Sequence, residues 1–430
     1  GASGFNVRGG GVDQNLVLLD DAPVYNSSHL FGFFSVFNPD AVKDVKLFKG
    51  GIPAIYGGRT SSILDVKMKE GNAKKLEVNG GIGVIFSRLS IEAPIVKDKA
   101  SFIVAARRSY IDVLAKPFLT GNNANSKFSF YDLTAKVNYK INDKNTVFMS
   151  GYFGRDVFGT GFGFDWGNTT LTTRWNHVFS NKLFLNATAF YSNYDYMLDS
   201  DIENKRPSDA FKWTSNIENL SIKPDFTYYI RPDNTISFGG QLLTYDFTPG
   251  KANATSNGKK REFGQANKRG VEASMYVGHD LKINSRITIQ YGVRYSHYDY
   301  KSLNGEYYDR IPVAITTENP SGYVLKINKT DPSTTVASYG NWEPRFALNI
   351  TGNESSSLKL SYNRLAQYIH LMSNTAASTP LDVWTSSTNN IKPQIVDQVA
   401  MGLFKNLGPD GNNYESSIEV YYKDMQNQID

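Results

Sequence analysis

An imidazole- or thiolate-based metal centre or nucleophilic site in this chain of 430 residues could draw on five histidines but on no cysteine. The histidines are His29, His177, His279, His297 and His370. Zinc hydrolases set two imidazoles on one helix face, as in H-E-x-x-H, because ligands one turn apart converge on the ion. Neither H-E-x-x-H nor H-x-x-x-H occurs, and no histidine lies near a carboxylate pair at ligand spacing. His177 and His279 fall beside short turns and His297 near a long connection, as expected of interface residues. Serine, histidine and aspartate are scattered without a G-x-S-x-G elbow to expose a nucleophile. Glycines at Gly9 to Gly11 and Gly50-Gly51 could cradle a phosphate, but no Gly-x-Gly-x-x-Gly follows a strand and opens a long helix. No catalytic residue, metal ligand or cofactor is nominated, and an enzyme is not expected.

The elements that must position any site are strands. Hydrophobic residues make up 40% of the chain, mean hydropathy is −0.39, and no apolar run reaches the roughly 18 residues of a membrane helix. That excludes a helical membrane protein and leaves open a barrel, whose strands hide their hydrophobicity by alternation. Tyr and Phe number 26 each, which suits a surface with one apolar and one wet end, such as a membrane interface. The net charge of +5 comes from 46 basic and 41 acidic residues without a dense basic block. Nucleic acid, which needs such a block on one face, is therefore not an expected partner. The absence of cysteine excludes a disulfide framework.

From about Leu76 onward the chain alternates with period two. Tyr131, Leu133, Ala135, Val137, Tyr139 and Ile141 are apolar, with Asp132, Thr134, Lys136, Asn138 and Lys140 between them. The pattern returns at Val271, Ala273, Met275 and Val277, and again at Ile287, Ile289, Tyr291, Val293 and Tyr295. A soluble sandwich alternates too, so the connections decide. Short polar turns at Lys97 to Lys99, Asn142 to Asn145, Ser180 to Lys182, Arg231 to Asn234, Asn284 to Arg286, Thr351 to Ser356 and Leu407 to Asn413 take turns with long connections. The long ones are Ile111 to Lys127, Gly159 to Gly167, Ser200 to Ala210, Phe247 to Asn267, Lys301 to Gly340 and Leu365 to Pro393. Short and long in strict succession is the outer-membrane pattern, and a sandwich has no reason to keep it. About 15 strands of spanning length are counted. An unclosed barrel strands unpaired amides in lipid, so the sequence is read as an internal portion of a longer chain.

The first 73 residues differ. They read F-N-V-R-G-G-G, then N-L-V-L-L-D-D-A-P-V-Y, then V-K-D-V-K-L-F-K-G-G, then I-Y-G-G-R-T-S-S-I-L-D-V. Short apolar runs at Leu16 to Leu19 and Val42 to Phe48 are bounded by Gly, Asp and Pro, as strands are. The order resembles the second half of the plug domain of TonB-dependent outer-membrane transporters. Arg8-Gly9, Val17 to Asp21 with Pro23, Val42 to Gly50, and Tyr56-Gly57 occupy that family's slots. Asp21 stands where the family usually has Gly, and Arg59-Thr60-Ser61 replaces a small Ala-Gly run.

The resemblance implies an all-β membrane protein, an antiparallel barrel of about 22 strands in the full chain with an α+β plug in its lumen. Residues 1–73 would be the C-terminal half of the plug and 74–430 a partial barrel. It further implies active import of a bulky ligand (siderophore, glycan or peptide) across the bacterial outer membrane, energised by TonB–ExbB–ExbD, with outer-membrane lipids around the barrel. In such plugs the turn after Pro23 forms an outward apex, making Tyr25, Asn26, Ser27, Ser28 and His29 ligand candidates, with Phe33, Phe34 and Phe37 as core. The loop after Tyr362 resembles one common in Bacteroidetes-type transporters. It would be partly helical, with Tyr368, His370 and Trp384 over the barrel mouth or packed on the loop itself. A surface lipoprotein is a further expected partner, whose gene beside this one would point towards glycans or peptides. Plug arginines in the family pair with barrel glutamates, so Arg8 and Arg59 are expected to lock onto Glu272, Glu343 or Glu419, which parity places toward the lumen. The alternatives are a non-transporting plugged barrel acting as an assembly scaffold, and a soluble β-rich binding module.

Overall fold

The computed structural model describes residues 5–118, 120, 126–159, 163–199, 211–256, 259–264, 266–317, 320–353, 355–372, 383–407 and 414–429. Fifteen strands follow one another in a single antiparallel sheet, from Glu77–Ile82 to Tyr414–Gln426, with the short strand Lys259–Gly264 attached beside Asn234–Ser256. Each strand pairs with its sequence neighbour, as in Lys127–Asn142 against Asn145–Gly159, where Lys136 faces Ser150 across the ladder. Such a meander follows from short connections: two antiparallel strands joined by a few residues have nowhere else to go.

Period two sets what each strand shows to either side. Along Lys127–Asn142, Tyr131, Leu133, Val137 and Tyr139 are exposed on the outer surface, while Asp132, Thr134 and Lys136 are buried inside. Leu220 and Ile222, Met275 and Val277, and Val399 and Met401 are likewise exposed apolar pairs at alternate positions. Buried polar residues fill the opposite parity, among them Arg107, Lys223, Arg294, Ser296 and Arg345. Among the described residues no helix is long and apolar enough to cross a membrane.

The interior is occupied by the N-terminal unit. Its sheet runs Ala22–Pro23, Asn15–Leu19, Ser62–Met68, Val42–Phe48. The two central strands are parallel, with Val17 opposite Leu64, and the outer pairings are antiparallel. Its helical turns are single 3-10 turns at Val12–Gln14 and Leu30–Gly32. Val17, Leu19, Val24, Val36, Val66 and Met68 form its core. On the other face Leu18, Ile52 and Ile63 pack with Leu365 of the large sheet.

Two long connections are shorter than the sequence suggests. The strands Asn145–Gly159 and Gly163–Val178 pair up to Gly159 opposite Gly163, and Asn234–Ser256 continues past Phe247. Aromatic and Thr-rich stretches there keep their ladder bonds beyond the length a bilayer requires. The Leu365 to Pro393 connection carries a ribbon, Ile369–Met372 against Val383–Ser386, in place of the expected helical piece. Ile369, His370 and Thr385 find backbone partners across that ribbon, which a lone helical turn could not supply. The expectations for Ser200 to Ala210 and for the turn after Leu407 lie outside the described residues.

Candidate functional site

The candidate site is the seam where the inner unit meets the wall of the large sheet. It begins at a two-residue turn. Asp20 and Asp21 both have positive φ, 46° and 76°, and join strands that pair Leu19 with Ala22, the geometry of a mirror-image hairpin turn. Glycine is usual there because a Cβ is crowded in that region; aspartate tolerates it better than most. Both carboxylates are then put to use. Asp20 pairs with Lys136 of the wall at 2.9 Å, with both side chains buried. The same ammonium donates to the Met68 carbonyl at 3.1 Å. Asp21 accepts from Lys67 at 2.7 Å and from the Arg174 guanidinium of the wall. Burial pushes the Asp21 carboxyl up, but Arg174 and Lys67 outweigh it and hold it well below the usual carboxylate range.

Higher on the same wall, toward the long connections, Arg107 pairs with Asp132 at 2.7 Å. It also donates to the Ser35 and Val36 carbonyls at 2.9 and 3.1 Å. His29 completes this group. Its Nδ1 is 2.7 Å from Asp156, its Nε2 is 3.3 Å from Asp132 and 3.2 Å from the Tyr152 hydroxyl, and its ring stacks on Phe130 at 4.4 Å. Burial pulls its pKa down, yet the two aspartate contacts win and raise it.

On the opposite wall the pattern repeats with carbonyls. Arg345 pairs with Glu343 at 2.9 Å and donates to the Pro53 carbonyl. Arg294 donates to the Ile55 carbonyl at 3.4 Å and to Ser274 at 2.6 Å. It lies against Gly57, where any Cβ would collide with its guanidinium. Toward the short turns, Arg8 donates to Glu419 at 2.7 Å and Lys49 reaches the same carboxylate at 3.2 Å.

Most of this polarity is the reverse of expectation. Arg8 meets Glu419, but Arg59 makes no ion pair among the described residues. Its Nη1 donates to its neighbour's carbonyl, Gly58 O, at 2.8 Å, and its guanidinium lies 5.4 Å from the Trp384 ring. The acids it was expected to meet are occupied: Glu272 by the Tyr245 hydroxyl at 3.2 Å and Arg294 at 3.9 Å, Glu343 by Arg345. Cations of the wall, Lys136, Arg107, Arg174, Arg294 and Arg345, do most of the gripping. Inward parity could have found them, since Lys136, Arg107, Arg294 and Arg345 are buried and Arg174 shares the parity of buried Thr170 and Thr172.

The apex also differs from expectation. His29 is only 1% exposed and Ser28 is buried, whereas Tyr25, Asn26 and Ser27 are half-buried. Phe33, expected in the core, is 72% exposed. Leu30 and Phe31 both take positive φ, 49° and 56°, and this double reversal tucks Leu30 in and turns Phe33 out. Asn168 of the wall holds the apex by accepting from the Tyr25 amide at 3.2 Å and donating to the Asn26 carbonyl at 2.7 Å. Tyr368, His370 and Trp384 are buried rather than open at a mouth. Tyr368 stacks on Tyr298 at 4.8 Å, His370 contacts Ser387 at 2.9 Å, and Trp384 meets Tyr25 edge-on at 5.0 Å. Burial holds His370 neutral, with its pKa down to about 3. Among the described residues no cluster of three metal-ligating side chains forms.

Two family matches cover this architecture. Residues 1–62 match the TonB-dependent receptor plug domain, and residues 98–430 match the TonB-dependent receptor-like β-barrel. This chain belongs to the TonB-dependent receptor family. Among solved receptors and transporters it is similar to the copper transporter OprC, with TM-score 0.64, 11% identity, and coverage of 92% of this chain and 62% of that one. The ferric enterobactin receptor PfeA from Pseudomonas aeruginosa gives TM-score 0.63 and 12% identity over 97% and 64%. The FrpB iron transporter from Neisseria meningitidis gives 0.64 and 11% over 96% and 65%. At such identities the likeness is one of fold, and the chain spans less than two thirds of the length of these structures. No curated protein sequence matches it. TonB-dependent receptors reside in the bacterial outer membrane and are not enzymes. The exposed apolar parity of the strands is the surface that lipid requires of such a receptor.

Proposed function

We propose that this receptor imports a bulky ligand across the outer membrane, with TonB–ExbB–ExbD drawing on the plug to let it pass. The observation that supports this most is the character of the seam. Lys136–Asp20, Arg174–Asp21, Arg107 with the Ser35 and Val36 carbonyls, and Arg8–Glu419 hold the plug through polar contacts. A charged hydrogen bond exchanged for one to water changes stability by only about 1.5–3 kcal/mol, and the contacts are separate, so force and water can part such a seam stepwise. A greasy seam would have to expose its whole apolar area at once. Arg8–Glu419 acts in this reading as the lock nearest the periplasm.

The ligand belongs to the siderophore, glycan or peptide range. The similar solved proteins, a copper transporter, a ferric enterobactin receptor and an iron transporter, favour a metal-bearing one. The loop after Tyr362 carries the Bacteroidetes-type reading and with it a surface lipoprotein that would cap the mouth. Tyr25, Asn26 and Ser27 are the half-buried apex residues and the first candidates to meet a ligand; Tyr368, His370 and Trp384 remain candidates in the loop above them. The test is uptake by cells expressing the full-length gene, with TonB present or deleted. Uptake should vanish without TonB, and Tyr25→Ala with Asn26→Ala should lower it at unchanged surface abundance. Indifference to both changes would favour the scaffold.

A further inference from the structure

Beneath the apex the plug and wall line a cavity that is partly open to solvent. A second, smaller one adjoins it, sharing Leu16, Pro23, Tyr25 and Arg59. Arg59 therefore stands between two spaces while being only 4% exposed to solvent. It is a buried cation with no carboxylate in ion-pair range among the described residues. Its Nε lacks a hydrogen-bond partner, and its guanidinium contacts the Tyr25 hydroxyl. The other charges lining the larger cavity are matched: Asp21 by Lys67 and Arg174, Lys223 by Asp225 at 3.3 Å, and Glu272 by Tyr245 and Arg294. Nearby Asp13 is engaged as well, accepting from Gln367 at 3.1 Å and from the Leu371 amide at 3.3 Å.

A second orphan faces the same space. Asn219, 1% exposed, donates to the Tyr25 hydroxyl but leaves its Oδ1 without a partner. The rest of the lining is aromatic or aliphatic, notably Phe190, Leu243 and Tyr245. A buried donor without an anion, a buried acceptor without a donor, and a flat apolar wall define complementary chemistry.

We propose that this cavity is a binding site for an aromatic carboxylate that also carries a hydroxyl. The carboxylate meets the Arg59 guanidinium, the hydroxyl donates to Asn219 Oδ1, and the ring lies among Phe190, Leu243 and Tyr245. The site goes beyond the transport reading and does not depend on it, because binding needs no energised plug.

The probe is 4-hydroxybenzoate, compared with its neutral methyl ester, on the purified full-length receptor by saturation-transfer NMR. The acid should bind at least about tenfold more tightly than the ester, as expected for a charge-assisted contact. Arg59→Gln should bring that ratio to about one. Photolabelling of the unaltered receptor with 4-azidobenzoate, mapped by mass spectrometry, keeps the question open to refutation if Arg59→Gln misfolds: label should fall on peptides containing Tyr25, Phe190 or Tyr245. An acid no tighter than the ester, a ratio unchanged by Arg59→Gln, or label confined to other segments would overturn the site. A receptor that fails to transport yet binds the acid as described keeps the site and loses only the transport reading.

Discussion

His29 shows how one side chain can be moved from one role to another by its neighbours. Between Asp156 and Asp132, its raised pKa means the protonated ring is the better-bound form. The sign follows: its contribution to stability is complete below the unfolded value of about 6.5 and is lost as pH rises through the higher folded value. The urea midpoint of the full-length receptor in lipid vesicles should therefore fall as pH climbs above about 6.5, and His29→Gln should flatten that slope. An equal slope in both proteins would mean that Asp156 and Asp132 do not hold a charged ring. At Asp21 two effects compete, backbone strain and ion pairing. Asp21→Ala keeps the strain and loses the Lys67 and Arg174 partners, with an expected loss of about 2–4 kcal/mol. Asp21→Gly loses the same partners but relieves φ, and should recover about 1 kcal/mol of that. Urea midpoints that rank Ala above Gly would show that φ at this turn costs nothing.

Strands are the scale at which the membrane acts. Val137 lies on the outward parity of Lys127–Asn142 and is 40% exposed, next to inward Lys136, buried on Asp20. A charge is welcome at one of these positions and costly one residue away, because the register flips the face. Val137→Arg should destabilise the refolded barrel by about 2–4 kcal/mol in lipid vesicles, read from its urea unfolding curve. An unchanged curve would place Val137 away from lipid. The long connections obey a different rule: backbone amides outside the bilayer can choose water or one another. Strand extension to Gly159 and the ribbon Ile369–Met372 with Val383–Ser386 are local choices that no bilayer constraint imposes.

The whole molecule joins a hydrogen-bonded wall to a plug whose own sheet has four strands. Wall strands such as Phe211–Arg231 are paired along both edges for most of their length, whereas the plug's outer strand Val42–Phe48 has one paired edge and exposed Val45 and Leu47. Opening free energy scales with such protection. In native-state hydrogen exchange, amides of Val42–Phe48 and Ser62–Met68 should exchange as one group well before those of Phe211–Arg231. Simultaneous exchange would mean the plug opens only when the barrel does, which the proposed transport cycle could not tolerate.

Alternation and connection length settled the meander from sequence, because period two and lipid leave a strand one acceptable face. The plug resemblance was legible in its turns, where Gly, Asp and Pro carry backbone information locally. The same parity placed Lys136 inward without any structure. What lay beyond the sequence was partnership. Family pattern points Arg59 at a carboxylate, yet Glu272 and Glu343 are already engaged by Arg294 and Arg345. His29, a polar apex residue by sequence, is buried against Phe130, and Trp384, for which the sequence leaves mouth and loop packing both open, is buried against Tyr25. Which cation meets which acid depends on the depth of the plug in the barrel and the rotation between the two. Those are set by contacts between segments remote in the chain, and no local spacing encodes them.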